Sequence, residues 1–123
     1  MNEALEHALR ERMRPVSVPC PGLADAFVGV RAVPEGRLAE IQVEALTWTR
    51  ERGLGPAAHT RAVVRRVLAE ALVDGESLDE ARPAPLFDVT DVGLLDERIV
   101  DALLAAYVEH TGALATRRGL HGT

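Results

Sequence analysis

Lysine is absent from the 123-residue sequence, and cysteine, serine and aromatic residues are few. A single cysteine, Cys20, cannot build a disulfide framework or a thiolate metal site within the chain. Four aromatic residues offer little stacking surface for nucleotides, sugars or single-stranded nucleic acid. No apolar run approaches the roughly 18 residues of a membrane helix, and the polar, acidic N-terminus is unlike a signal peptide. We therefore expect a cytoplasmic protein without a cofactor.

Charge is unevenly distributed along the chain, although the net charge is only -5. The segment 50–66 contains five arginines and one glutamate, whereas the segment 74–101 contains nine acidic residues and two arginines. This separation of basic and acidic segments favours ion pairs within one copy or head-to-tail contacts between copies. The residues that we expect to mediate self-association are Arg61, Arg65, Arg66, Asp88 and Asp91.

The spacing of apolar residues predicts a mainly α protein with about four helices. The predicted helices span residues 3–14, 34–52, 57–73 and 96–111. Asn2 is a capping residue for the first helix, and Gly53 provides the usual stop for the second. The first helix carries only a thin apolar stripe of Leu5, Ala8, Leu9 and Met13, so it requires a packing partner.

Alternation of apolar residues with small or polar residues predicts a short two-stranded β ribbon at about 16–32. A lone ribbon is marginally stable, so it must pack on helices or on another chain. We expect a single helical domain over residues 1–112, followed by a flexible C-terminal tail at 113–123.

The segment 76–95 is predicted to be a loop because it combines acidic residues with two closely spaced prolines. Its apolar residues Leu86, Phe87 and Val89 are expected to hold the loop against the core.

The last predicted helix has more apolar surface than docking on one core requires. Leu104 and Val108 lie at about 140° and 180° from Ile99, on the side opposite its core stripe. A helix that is apolar on both sides is either sandwiched or binds a partner. The residues that we expect to bind a partner are Leu104, Val108, Leu86 and Phe87.

No residue pattern indicates catalysis. The segment 53–58 matches the loose dinucleotide pattern G-x-G-x-x-A, but a helix precedes it and Pro56 lacks an amide donor, which favours a linker. The histidines have no helical ligand spacing, and no serine lies in a nucleophile-elbow sequence. We expect no catalytic, metal or cofactor site, and therefore no enzymatic activity.

Four stretches of the sequence together resemble a known family. Residues 28–34, Val-Gly-Val-Arg-Ala-Val-Pro, lead into the second helix, and residues 68–74, Leu-Ala-Glu-Ala-Leu-Val-Asp, end the third. A proline-bearing loop at 83–87 then precedes a helix with Ile99, Leu103 and Tyr107 at four-residue spacing. This order resembles the tail assembly chaperones of long-tailed phages and related phage-derived tail particles.

The resemblance covers roughly residues 15–112 and implies a non-enzymatic role. Members of that family coat a long helical tape-measure protein in the host cytoplasm, and they often have a longer product made by ribosomal frameshift. A permanent structural part of a tail or connector is the first alternative function. A small helical regulator that contacts DNA through Arg61, Arg65 and Arg66 is the second, although these arginines form no single stripe on their helix.

Overall fold

The fold is described by a computed structural model that covers residues 2–19, 27–75, 78 and 82–111. Within these ranges the chain is mainly α, as predicted, with five helices and three strands. The helices are α1 (Glu3–Met13), α2 (Glu35–Glu51), α3 (Pro56–Ala71), α4 (Val89–Gly93) and α5 (Glu97–Thr111). The strands are β1 (Val16–Pro19), β2 (Phe27–Val30) and β3 (Leu72–Val73). Cys20 and the predicted tail at 113–123 lie outside the described residues.

An antiparallel sheet in the order β1-β2-β3 replaces the predicted two-stranded ribbon. β1 and β2 pair as expected, with Val16 opposite Val30 and Val18 opposite Val28. β3 adds a third strand on the other side of β2, where Leu72 lies opposite Val30. The central strand β2 therefore contributes the buried side chains of Val28 and Val30 to the core.

The third helix ends at Ala71, so the predicted end at Val73 is wrong by two residues. Leu72 and Val73 continue the apolar periodicity of the helix, which is why the sequence pattern extends it. In the structure their backbone pairs with β2, and Leu72 also accepts a hydrogen bond from the amide of Leu86 at 3.2 Å. Pairing in the sheet satisfies these backbone groups, and both side chains are fully buried.

α2 and α3 are joined by a short linker and pack extensively against each other. Gly53 has a φ of 65°, a left-handed conformation that glycine adopts without steric cost. Gly55 and Pro56 then begin α3, with proline in the first turn. The dinucleotide-like segment is therefore a linker between two helices, as predicted.

The segment 76–95 is not all loop, because its described part includes the short helix α4. Val92 of α4 is only 1% exposed, whereas Leu86 and Val89 are 39% and 38% exposed. Phe87 is partly buried against the core. The expected role of Leu86 and Val89 as anchors is thus wrong: one turn of helix directs Val92 inward instead.

The core lies between the sheet and the helices α2, α3 and α5. Its largest fully buried side chains include Ile41, Leu68, Leu72 and Leu103, together with the valines of β2. Tyr107 on the last helical turns is also buried, and this burial raises the pKa of its hydroxyl. These contacts fix α5 between the sheet and α3, which positions the surface described next.

Candidate protein-binding groove

An open groove lies between α3 and α5 and is bordered by α4, and we call it the α3–α5 groove. Its volume is about 480 Å³. The apolar side chains that line it belong to Ala57, Val64, Val92, Leu95, Val100 and Leu104. An apolar channel between two helices is the type of surface that accepts one face of an amphipathic helix.

The two edges of the groove carry opposite charges. Arg61 and Arg65 lie on the α3 edge, and Glu97 and Asp101 lie on the α5 edge. Nη2 of Arg61 donates to Oε1 of Glu97 at 2.8 Å, and this hydrogen bond, with a smaller effect from the charge of Asp101, raises the pKa of Arg61. Both side chains of this ion pair are mostly exposed, so a charged partner can replace it at little cost.

The three arginines of α3 do not form one surface. Arg65 lies beside α4, where a Cβ placed on Gly93 would come within 3.8 Å of its Nε. Arg66 is directed elsewhere: its side chain is 16% exposed, donates to the carbonyl of Ala62 at 3.1 Å and approaches Glu44 at 3.9 Å. The groove therefore includes Arg61 and Arg65 but not Arg66.

Asp88 and Asp91 cap α4. Oδ1 of Asp88 accepts from the amide of Asp91 at 2.7 Å, and Oδ2 of Asp91 accepts from the amide of Asp88 at 3.2 Å. This reciprocal arrangement is a capping box. Both carboxylates are exposed, and the predicted contact with arginines of a second copy stays a prediction.

Leu104 and Val108 are both partly buried and packed against the core. α5 contacts α3 as well as β2, so the helix is flanked on two sides. Of the two residues, Leu104 lines the α3–α5 groove. The described structure thus places Leu104 in the same groove as Arg61 and Arg65. The sequence analysis had assigned Leu104 to partner binding and the two arginines to self-association.

Leu86 and Phe87 lie before α4. The amide of Leu86 donates a hydrogen bond to the carbonyl of Leu72 in β3. Neither residue lines the α3–α5 groove. The four residues predicted to bind a partner therefore do not form one patch around this groove.

A second apolar surface lies on α1, and its last residue, Met13, lines a depression with residues 31–34 of the same chain. No residue of this helix is buried, and Leu5, Leu9 and Met13 are 48%, 45% and 41% exposed. The helix is well formed: Oδ1 of Asn2 accepts from the amide of Leu5 at 2.7 Å, as the sequence predicts. We call the stripe of Leu5, Leu9 and Met13 the α1 apolar face.

No group of three or more His, Cys, Asp or Glu side chains in the described ranges could hold a metal ion. No helix that the structure describes combines the length and the hydropathy needed to cross a bilayer.

Two features of the site were not identified from the sequence. α4 was predicted as loop, so Val92 was not recognised as part of a groove wall. The pairing of α3 with α5 was also not foreseen, because contacts between distant segments leave no local pattern. The signal that could have revealed α4 is the pair of aspartates three residues apart before an apolar residue.

Comparison with known proteins gives no match, whether with family models, curated proteins or solved structures.

Proposed function

We propose that this chain is a non-enzymatic assembly factor that binds a long helical partner, of the tape-measure kind, through the α3–α5 groove. The observation that carries the proposal is the groove itself: an open apolar channel between two helices, with Leu104 in its lining and the exposed Arg61–Glu97 ion pair joining its edges. The resemblance to phage tail assembly chaperones suggests the biological setting, and the host cytoplasm would be its location.

The length of the groove matches one face of a short helical segment. Its walls extend from Ala57 to Arg65 on α3 and from Glu97 to Leu104 on α5. The two walls span eight and seven residue steps, or about 12 and 10 Å, which is close to two turns of a bound helix. A long partner with a repeating apolar face could bind many copies of such a short site in succession.

The charged edges would give such binding a direction. A helix with acidic residues along one flank and basic residues along the other meets Arg61 and Arg65 on one side, and Glu97 and Asp101 on the other. A duplex phosphate backbone suits this surface less well, because Arg61 is paired with Glu97 and the anionic edge lies opposite. These features favour a protein partner over DNA.

The experiment is co-expression with the neighbouring gene products, followed by pull-down and mass determination. We expect a coiled-coil-rich protein to co-purify with several copies of the chain. Ala57→Trp places a bulky side chain at the exposed mouth of the groove and should abolish co-purification. Ala39→Trp is the matched control, because Ala39 is an exposed alanine on α2 that does not line the groove.

Two outcomes would contradict the proposal. If both tryptophan variants bind the partner like wild type, the groove is not the binding surface. If no helical protein co-purifies, the assembly-factor function fails. Presence of the chain in finished particles would instead favour the permanent structural component.

A further inference from the structure

We propose that the outer face of α2 binds the same face of a second copy, with the two helices antiparallel. This face is a line of exposed residues that we call the α2 seam: Gly36, Ala39, Val43, Leu46 and Arg50. The residues follow one another at alternating spacings of three and four, which is the spacing of contact positions in a coiled coil. Val43, at the centre of the seam, is 65% exposed. α2 therefore has a second packing face besides the one that it uses in the core.

The α2 seam is separate from the core and from the α3–α5 groove. α2 packs into the core through Ile41, Ala45 and Thr49. With Val43 at zero, these three residues lie about 120° or more away around the helix, whereas all seam residues lie within about 60°. No residue of the seam lines the α3–α5 groove. A contact through the seam would thus leave both the core and the groove intact.

The side chains of the seam increase in size along α2, and this gradient favours an antiparallel copy as the occupant. In chain order they are Gly36, Ala39, Val43, Leu46 and Arg50. A two-fold axis at Val43 brings Gly36 level with Arg50 of the second copy, and Ala39 to within one residue of Leu46. Small side chains then face large ones at both ends, so the two helices keep an even separation. A parallel pair would instead place the smallest side chains together at one end and the two arginines together at the other.

The charges at the two ends of the seam favour the same orientation. Glu35 is the acidic residue of the first turn of α2, and Arg50 is the basic residue of its last turn. Both are exposed, and among the described residues neither forms an ion pair within its own chain. In the antiparallel pair, Glu35 lies one residue beyond the position level with Arg50 of the second copy, on the same side of the seam. Each Arg50 would therefore pair with Glu35 of the other copy.

Gly36 provides the space that this ion pair requires. No atom lies within 4 Å of a Cβ placed on Gly36, so the stem of Arg50 from the second copy can cross the helix there. A parallel pair would bring Arg50 against Arg50, and this repulsion disfavours the alternative.

A contact of this kind is isologous, because the same surface meets on both copies, and it closes at two copies. The seam is about 21 Å long, so the buried area is small and the association should be weak. At the low protein concentrations of unfolding experiments the chain would be a monomer. Each dimer would present two α3–α5 grooves to a long helical partner.

Sedimentation equilibrium of full-length variants tests the contact. Val43→Glu places two negative charges against each other at the two-fold axis and should weaken dimerisation at least about tenfold. Gln42→Glu is the matched control, because it adds the same charge at an exposed position about 100° away around α2, and it should dimerise like wild type. Glutamate forms helix at least as well as valine, so both variants should fold, which circular dichroism checks. Leu46→Glu replaces Val43→Glu if that variant does not fold.

A charge reversal tests the pairs at the ends of the seam. Arg50→Glu should weaken dimerisation, because it places like charges together. Adding Glu35→Arg in the same chain should restore it, since the two ion pairs then form with their signs exchanged. Failure of the double variant to recover would contradict the proposed alignment.

Cysteine cross-linking tests the orientation. Ala39→Cys and Leu46→Cys, each in a Cys20→Ala background, are oxidised separately and as an equal mixture in which one variant carries a size tag. In the antiparallel pair residue 39 lies beside residue 46 of the second copy, so the mixed disulfide dimer should predominate. A parallel pair would cross-link each variant to itself.

Several results would overturn the inference. A wild-type chain that stays monomeric up to about 1 mM would mean that the seam does not bind a second copy. A dimer that Val43→Glu leaves unchanged would use another surface. If the wild type is monomeric and Val43→Glu prevents co-purification of a helical protein, the seam binds that protein instead. Failure of the proposed function is a distinct result: the dimer would form, but no helical protein would co-purify.

Discussion

Replacing Arg37 by glutamine tests how strongly α2 and α3 are held together by charge. Nε of Arg37 donates to Oε1 of Glu70 on α3 at 2.7 Å. Its terminal nitrogens donate to both oxygens of Glu44 at 2.9 and 3.3 Å and to Glu40 at 3.1 Å. The substitution removes the positive charge that three carboxylates share.

The expected loss in the free energy of unfolding at pH 7 is about 1–2 kcal/mol. An exposed ion pair contributes about 0.2–1 kcal/mol, and solvent screening puts the pair with Glu40 at the lower end. The pair with Glu70 is the least exposed and the pair with Glu44 is bidentate, so these two supply most of the effect. The remaining carboxylates would also repel one another.

The loss should depend on pH. The hydrogen bond from Arg37 lowers the pKa of Glu44 below its ordinary value. A carboxyl group whose pKa is lower in the folded state stabilises the fold above its unfolded pKa of about 4.3, and that stability disappears as the pH falls through the lowered value. The difference between wild type and Arg37→Gln should therefore be largest near neutral pH and shrink as the pH falls below about 4.

Urea unfolding followed by circular dichroism measures this difference at pH 7 and at the lowest pH where wild type still unfolds cooperatively. Arg50→Gln is the control, since Arg50 is an exposed arginine of α2 and no ion pair of it is found within the described ranges. An equal loss for Arg37→Gln at both pH values would refute the reasoning, because it would assign the effect to packing of the arginine stem rather than to charge.

Three further substitutions test local features of the fold by urea unfolding. Gly29→Ala should lower the free energy of unfolding by about 1–3 kcal/mol, because its Cβ would lie 2.6 Å from Cγ2 of Val73; an unchanged stability would mean that the sheet yields easily. Gly36→Ala, on α2 with no atom within 4 Å of the added carbon, should instead raise it by about 0.5–1 kcal/mol, and a loss would contradict the open surroundings. Asp88→Ala should cost about 1 kcal/mol by removing the cap of α4, whereas a neutral result would discount the capping box.

Local patterns in the sequence were sufficient to predict most helices. The cap of α1 at Asn2 and the stop at Gly53 are confirmed by the structure. Each depends on residues close together in sequence, where propensity, capping and spacing decide the outcome. The pairing of β1 with β2 also follows from alternation on both sides of a turn-rich segment.

Features that depend on distant contacts were predicted less well. Leu72 and Val73 fit a helix or a strand equally by pattern, and only the backbone of β2, far away in sequence, decides for the strand. Val92 belongs to a helix too short to show a period. The groove forms because α3 and α5 come into contact. The sequence could therefore identify single residues of it, such as Arg61 and Leu104, but it could not show that they belong to one site.

The direct passage of α3 into β3 has a consequence for the order of folding. Val30 and Leu72 pair across 42 positions of the chain, and closing so long a loop is slow when the intervening residues are disordered. The α2–α3 hairpin fills most of that interval with contacts between near neighbours. If the hairpin forms first, α3 brings Leu72 close to β2, and the sheet would then form on the packed helices. Substitutions that weaken the contact between α2 and α3 would therefore slow folding more than they accelerate unfolding.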